Sequence, residues 1–309
     1  MARFTDIPFS QVRDVAEGAR ASEARRRSCV RIAIELEEGA PDDLALALKD
    51  ALMPETASGL VHVGRVRAGG VLRVNPDCDL AVVVSGSSGA AAGVARAFSR
   101  VGVPCAIVVE TSVEAPELAG TPGVALVSAQ TPEALLPKLA SWMADSCRAD
   151  VALAANFSFC RRAVAERCIR ERSAQGAAVG LLPLSGGADF PVLVAGQTLM
   201  ALDLAGAYGR GPSAGRLADV AAVIAYGLAS RSVAKRLAGS LPGLGWLVRG
   251  AVAYGGTTAV GWALVARHEA QALLERDPLD LSRLATLFPH HGKPVNGVHN
   301  SIDGDSAQA

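Results

Sequence analysis

Between residues 29 and 147, short apolar runs rich in β-branched residues alternate with segments of helical spacing, and that alternation admits few folds. The runs lie at 29–36 (CVRIAIEL), 59–66 (GLVHVGRV), 79–86 (DLAVVVSG), 104–110 (PCAIVVE) and 123–129 (GVALVSA). The last three are continuously apolar, as strands covered on both faces are. Residues 42–52, 90–102 and 131–147 have helical spacing. Asp42 or Asp43 is placed to cap the first, and Gly102 to end the second. Thr131, Pro132 and Glu133 open the third, where Pro137 introduces a bend. Parallel strands need crossovers, so this order predicts a mostly parallel sheet with helices on both faces.

The chain has 309 residues, 50% of them hydrophobic and only 4% aromatic, so its packing rests on Ala, Val and Leu. Lys+Arg and Asp+Glu balance at 30 each, which gives no nucleic-acid signature. The N-terminus lacks an apolar core of signal-peptide length, and no secretion is expected. Arg25, Arg26 and Arg27 form a solvated face or a patch against anionic lipid. Six cysteines, at 29, 78, 105, 147, 160 and 168, make no Cys-x-x-Cys pair. They read as buried free thiols in a reducing cytosol, ahead of metal ligation or a disulfide framework, and no metal site is expected. Composition shifts near residue 148. The expected division is an N-terminal helical extension (1–28), an α/β domain (29–148), an apolar helical domain (149–275) and a polar tail (276–309). In the tail, His290, His291 and His299 read as part of a polar segment rather than as metal ligands.

Residues 77–147 resemble the later half of an Era-like GTPase domain. In that family a strand led by Asp-x-x and a helix precede a strand ending in Asn-Lys-x-Asp, a strand ending in Ser-Ala and a closing helix. Here Asp79 to Ser85 begins the series, and Ser128-Ala129 is the residue-level match. The departures bear on function. Glu110-Thr111-Ser112-Val113 stands where the guanine-reading motif belongs, without its Lys or its final carboxylate. The segment after the first strand (ELEEGAPDD, 35–43) has five carboxylates and no Lys, and no Gly-Lys-Ser/Thr occurs in the chain. Such a loop repels a triphosphate instead of cradling it. The fold class expected is therefore a degenerate GTPase-like or Rossmann-like three-layer α/β domain, followed by an all-α bundle, with no hydrolysis and no cofactor.

One loop retains the means to hold an anion. Gly86, Ser87, Ser88 and Gly89 follow a buried strand and open a helix, where free N–H groups meet the positive end of the helix dipole. The alternative is an ordinary strand-to-helix turn. Ser87 or Ser88 with His62 is the remaining catalytic combination, but the Gly-x-Ser-x-Gly spacing is absent.

Beyond residue 148 the spacing predicts an amphipathic helix over 150–175, with Arg161, Arg162, Arg167, Arg170 and Arg172 as its cationic face. Residues 177–209 read as two short apolar helices with a bend, and 216–239 as another helix, with Arg231, Lys235 and Arg236 near its end. Residues 241–266 carry one charge, Arg249, and two faces of small residues: Ala251, Gly255 and Ala259 on one, Ala253, Thr257 and Gly261 on the other. Such faces suit close helix packing. Trp246, Tyr254 and Trp262 suit an interface, and basic residues on both flanks (Arg267 follows) keep both ends on the cytoplasmic side. A hairpin or interfacial bundle meets these conditions; so does a soluble bundle.

Residues 150–270 resemble the C-terminal helical domain of the YcjF-like family, domain of unknown function number 697. The resemblance is carried by the Pro-Leu-x-Gly-x-Asp-x-Pro turn at 183–191 (with one extra Gly), Ala207-Tyr208-Gly209, Pro242-Gly243-x-Gly245-Trp246 and Ala253-Tyr254-Gly255-Gly256-Thr257. It implies membrane association and linkage to GTPase domains or partners, and no catalytic residues. The function expected is a non-enzymatic, membrane-associated partner or regulator in a GTPase-linked system. It would lie on the cytoplasmic face of the membrane, or in the cytoplasm, with a lipid surface and a GTPase or other protein as partners. A soluble phosphate- or nucleotide-binding module using Gly86 to Gly89 is the alternative.

Overall fold

Five parallel strands, in the order β2-β1-β3-β4-β5, form the sheet of the computed structural model. The structure describes residues 9–70, 74–111, 120–181, 189–211 and 245–276. The strands are β1 (Val30–Glu37), β2 (Gly59–Val66), β3 (Leu80–Val84), β4 (Cys105–Val109) and β5 (Val124–Ser128). The mixed α/β architecture expected from the alternation is present. Every residue of β3 and β4 is buried, which is why those runs carry no polar residue.

Side-chain alternation along β1 divides the core. Val30, Ile32 and Ile34 face a cluster built with α2 (Asp42–Ala51) and α4 (Pro132–Ser146) through Leu44, Leu48, Leu135, Leu139 and Met143. Ala33 faces the opposite cluster, where α3 (Ala91–Arg100) packs Val94, Ala95 and Phe98 on Ala81, Val83, Cys105 and Ile107. Helices after β1 and β3 thus lie on opposite faces, making a doubly wound sheet with its switch point between those neighbours. The expected caps are realised in part. Thr131 Oγ1 accepts from Ala134 N, and Gly102 sits at φ +80° after α3. At α2 neither Asp caps: Pro41 holds the N-cap position with no side-chain hydrogen bond.

The helix expected over 150–175 is broken. α5 (Asp150–Asn156) ends at Phe157, whose backbone is extended and whose ring is wholly buried. A turn of 3-10 helix (Ser158–Cys160) follows, then α6 (Arg161–Leu181). Asn156 fixes the break. Its Nδ2 donates to Ala152 O and Ser58 Oγ, and its Oδ1 accepts from Thr56 Oγ1, binding α5 to the loop before β2. The core of the α2/α4 face continues into α5 and α6 through Leu153, Phe157 and Val164.

α7 (Asp189–Ala207) and α8 (Gly245–Arg276) complete the described helices. Close approach is set by glycine: a Cβ on Gly180 would lie 2.9 Å from Arg249 O, and one on Gly261 would lie 2.5 Å from Ile169 Cγ1. The two small faces of α8 therefore part company. Thr257 and Gly261 are buried against α6, while Ala251, Gly255 and Ala259 are exposed. The N-terminal extension is α1 (Phe9–Arg26), held to α7 where Ser22 Oγ donates to Leu202 O and Arg25 meets the buried Asp203 at 2.5 Å. Compact units divide at His268 and Glu269. The helix expected at 216–239, the turn at 183–188, Pro242-Gly243, Ser112-Val113 and the histidines of the tail lie outside the described residues.

Candidate functional site

In a doubly wound sheet, ligands bind beyond the carboxyl ends of the strands at the switch point. Here that place is occupied by the chain itself. Glu37, the last residue of β1, is 3% exposed and turns its carboxylate into the loop that joins β3 to α3. Oε2 accepts from Gly86 N at 2.6 Å and from Ser85 Oγ at 3.5 Å. Oε1 accepts from Ser88 Oγ at 2.6 Å, Ala90 N at 2.5 Å and Ala91 N at 3.3 Å. Ala90 stands at the N-cap of α3 and makes no side-chain cap, so a carboxylate from another strand caps the helix. Burial pushes the Glu37 carboxyl up, but the hydrogen bonds from Ser88, Gly86, Ala90 and Ala91 outweigh it and hold the group below its ordinary range.

The backbones on either side close over it. Ser87 N donates to Glu38 O at 3.0 Å. A Cβ on Gly86 would fall 2.4 Å from Glu38 O and 2.7 Å from Ala40 N, so only glycine permits this approach. The Gly86-to-Gly89 loop does gather anion-binding donors, and the anion they hold is Glu37. Ser87 is turned to the Glu38 carbonyl, and a Cβ on Gly89, at φ +73°, would meet nothing within 4 Å.

Two expectations are corrected. The acidic segment 35–43 is not one loop after the first strand: Glu35 and Glu37 belong to β1 and are buried on its α3 side. The arginines of α6 are not a free cationic face. Arg161 pairs with Glu55 at 2.5 Å, Arg167 with Glu171 at 2.8 Å, Arg170 with Asp145 and Arg172 with Asp203, both at 3.4 Å, while Arg162 lies over the Trp262 ring. Arg25 is held by Asp203, and Arg26 and Arg27 share Glu23, whose carboxyl the Arg26 guanidinium holds down at about 2.

The Ser–His combination is not assembled. His62 is exposed on β2 opposite Ala33, four residues before Glu37 along β1, or about 13 Å at the rise of a strand. Among the described residues no group of His, Cys, Asp and Glu can hold a metal. All six cysteines are free; Cys29 is exposed, contrary to expectation, and the others are partly or fully buried. Burial pushes Cys105 and Cys147 up to about 12, away from nucleophilic use. No helix of the described residues is long and apolar enough to cross a membrane. Comparison of the chain with family models, curated proteins and solved structures returned no match.

Proposed function

We propose that this chain is a non-enzymatic partner or regulator in a GTPase-linked system at the cytoplasmic face of a membrane, with an α/β domain that holds no nucleotide. Glu37 carries the reading. A carboxylate already satisfies the loop that a phosphate would need, and the Gly86 backbone packs closely on those of Glu38 and Ala40 beside it. The GTPase linkage and the membrane rest on the resemblance of residues 150–270 to the YcjF-like family. An interfacial attachment is supported by the exposed Ala251, Gly255 and Ala259 face of α8, with Leu247 and Tyr254 also exposed.

Thermal unfolding of the full chain with GTP, GDP, ATP or inorganic phosphate at about 1 mM tests the first part, because any ligand of the folded state raises the midpoint. No rise is expected; a rise of several degrees with a nucleotide overturns it. Flotation with anionic phospholipid vesicles tests the second, and a chain that stays with the soluble fraction removes the membrane. The convergence of donors on a carboxylate favours one alternative, a phosphate site that opens when Glu37 leaves. Stabilisation of a Glu37→Ala variant, and not of the wild type, by phosphate would support that reading.

A further inference from the structure

Among the described residues β2 is an edge strand, eight residues long. Val30 N donates to Ser58 O and Glu38 N to Val66 O, so the even-numbered residues of β2 direct their backbone groups at β1. Backbone direction alternates along a strand, and the N–H and C=O of Val61, Val63 and Arg65 therefore point off the edge. Leu60 and Val63 are 50% and 56% exposed there. An edge of this length with exposed apolar residues is a template for another strand.

Beside it lies the buried carboxyl of Glu35. Glu35 is paired in register with Gly64, is 7% exposed, and makes no hydrogen bond or ion pair among the described residues. It lies on the glycine: a Cβ at Gly64 would be 2.1 Å from Oε2. His62 stands two residues earlier on the same face of β2 and is exposed. A buried carboxyl without a donor is costly, and burial raises its proton affinity while the charge of His62 opposes that.

Symmetry turns these facts into a register. Two copies meeting edge to edge about a twofold axis run antiparallel, and outward-pointing odd residues must face odd residues. Pairing centred on His62 sets two imidazoles against each other. Pairing centred on Gly64 sets two Glu35 carboxyls across the axis. Pairing centred on Val63 brings His62 of each copy opposite Gly64 of the other, beside Glu35. That pair is of the non-hydrogen-bonded kind, where Cα atoms approach to about 4.5 Å, and the ring meets the Glu35 carboxylate that lies over Gly64. Val63 then meets Val63 on the axis, and Leu60 faces Val66.

We propose that the β2 edge is a homodimer interface, paired antiparallel about Val63, in which His62 of each copy binds Glu35 of the other. The two sheets join as one.

Sedimentation of the full chain at about 50 μM, where a concentration-dependent dimer is populated, should give twice the 31.6 kDa chain mass. Val63→Lys, an exposed change that leaves the fold intact, should give the monomer. His62→Glu should weaken the dimer at least about tenfold by placing like charges together, and His62→Lys should retain it. In a Cys29→Ser background, Val63→Cys should oxidise to a covalent dimer, since Cα atoms about 5.5 Å apart suit a disulfide. His62→Cys, about 8 Å from its symmetry mate by strand geometry, should not. A wild-type monomer overturns the proposal and leaves the edge to a foreign strand. So does a dimer that Val63→Lys spares and Val63→Cys does not lock.

Discussion

Replacing Glu37 with Gln keeps the size of the side chain and removes the charge that the loop surrounds. Three hydrogen bonds to Glu37 are short, at 2.5 to 2.6 Å, from Gly86 N, Ser88 Oγ and Ala90 N. At roughly 1.5 kcal/mol for each bond to a charged group, they contribute about 4.5 kcal/mol. The amide is easier to bury than the carboxylate and keeps one acceptor, which returns about 1–2 kcal/mol. Its NH2 group meets backbone donors on the other side and gains nothing. A net loss of about 2.5–3.5 kcal/mol follows, or roughly 5–14 °C in the unfolding midpoint for a unit of this size. The loss must also depend on pH. Hydrogen bonding holds the folded carboxyl below its unfolded value, so its contribution is complete above the ordinary carboxylate range and disappears as pH falls through the folded value. Urea unfolding of wild type and variant at pH 7 and pH 3 measures both. A difference below about 0.5 kcal/mol at pH 7, within the range of ordinary surface changes, would refute the reasoning. An equal difference at the two pH values would do the same.

Glu35 carries the opposite sign. Burial raises its folded pKa, so the wild type loses stability as pH rises through the interval between the unfolded and folded values. At a dilution that holds the monomer, Glu35→Gln should match wild type near pH 4 and exceed it by about 1 kcal/mol at pH 8 in the same unfolding assay. Gly86→Ala forces a methyl against the backbone of Glu38 and Ala40 and should cost about 2–3 kcal/mol; full retention of the wild-type midpoint would contradict it. Asp203→Asn leaves Arg25 and Arg172 without their shared carboxylate. Both arginines are partly exposed, so the cost should be about 1–3 kcal/mol rather than that of a fully buried pair. Hydrogen exchange should show the loss first in α1.

Much of the α/β half was legible because its signals are local. β3 and β4 announce themselves as uninterrupted apolar runs, Thr131 as a cap and Gly102 as a stop. The role of Glu37 was not local. It depends on the sheet order placing β1 beside β3, so that residues 49 to 54 positions apart in sequence share one carboxylate. Sequence reasoning counted Glu37 among charges that repel phosphate. The signal that would have corrected it is the alternation in β1, which puts Glu35 and Glu37 on the face of Ala33, away from Ile32 and Ile34. The arginines of α6 misled for a related reason: Glu55, Asp145 and Asp203, which neutralise three of them, come from other elements. The break at Phe157 was hidden because Asn156 finds two of its three partners in the loop before β2.

The closed switch point is tested most directly by following the backbone amides of Gly86, Ala90 and Ala91 by NMR while GDP with Mg2+, and separately inorganic phosphate, is raised to about 5 mM, a level that detects even millimolar affinity. With Glu37 in the loop, these amides should not move in the wild type. Saturable shifts of the three amides on addition of GDP or phosphate would show that the loop accepts an outside anion, and the account of a nucleotide-free domain would fail.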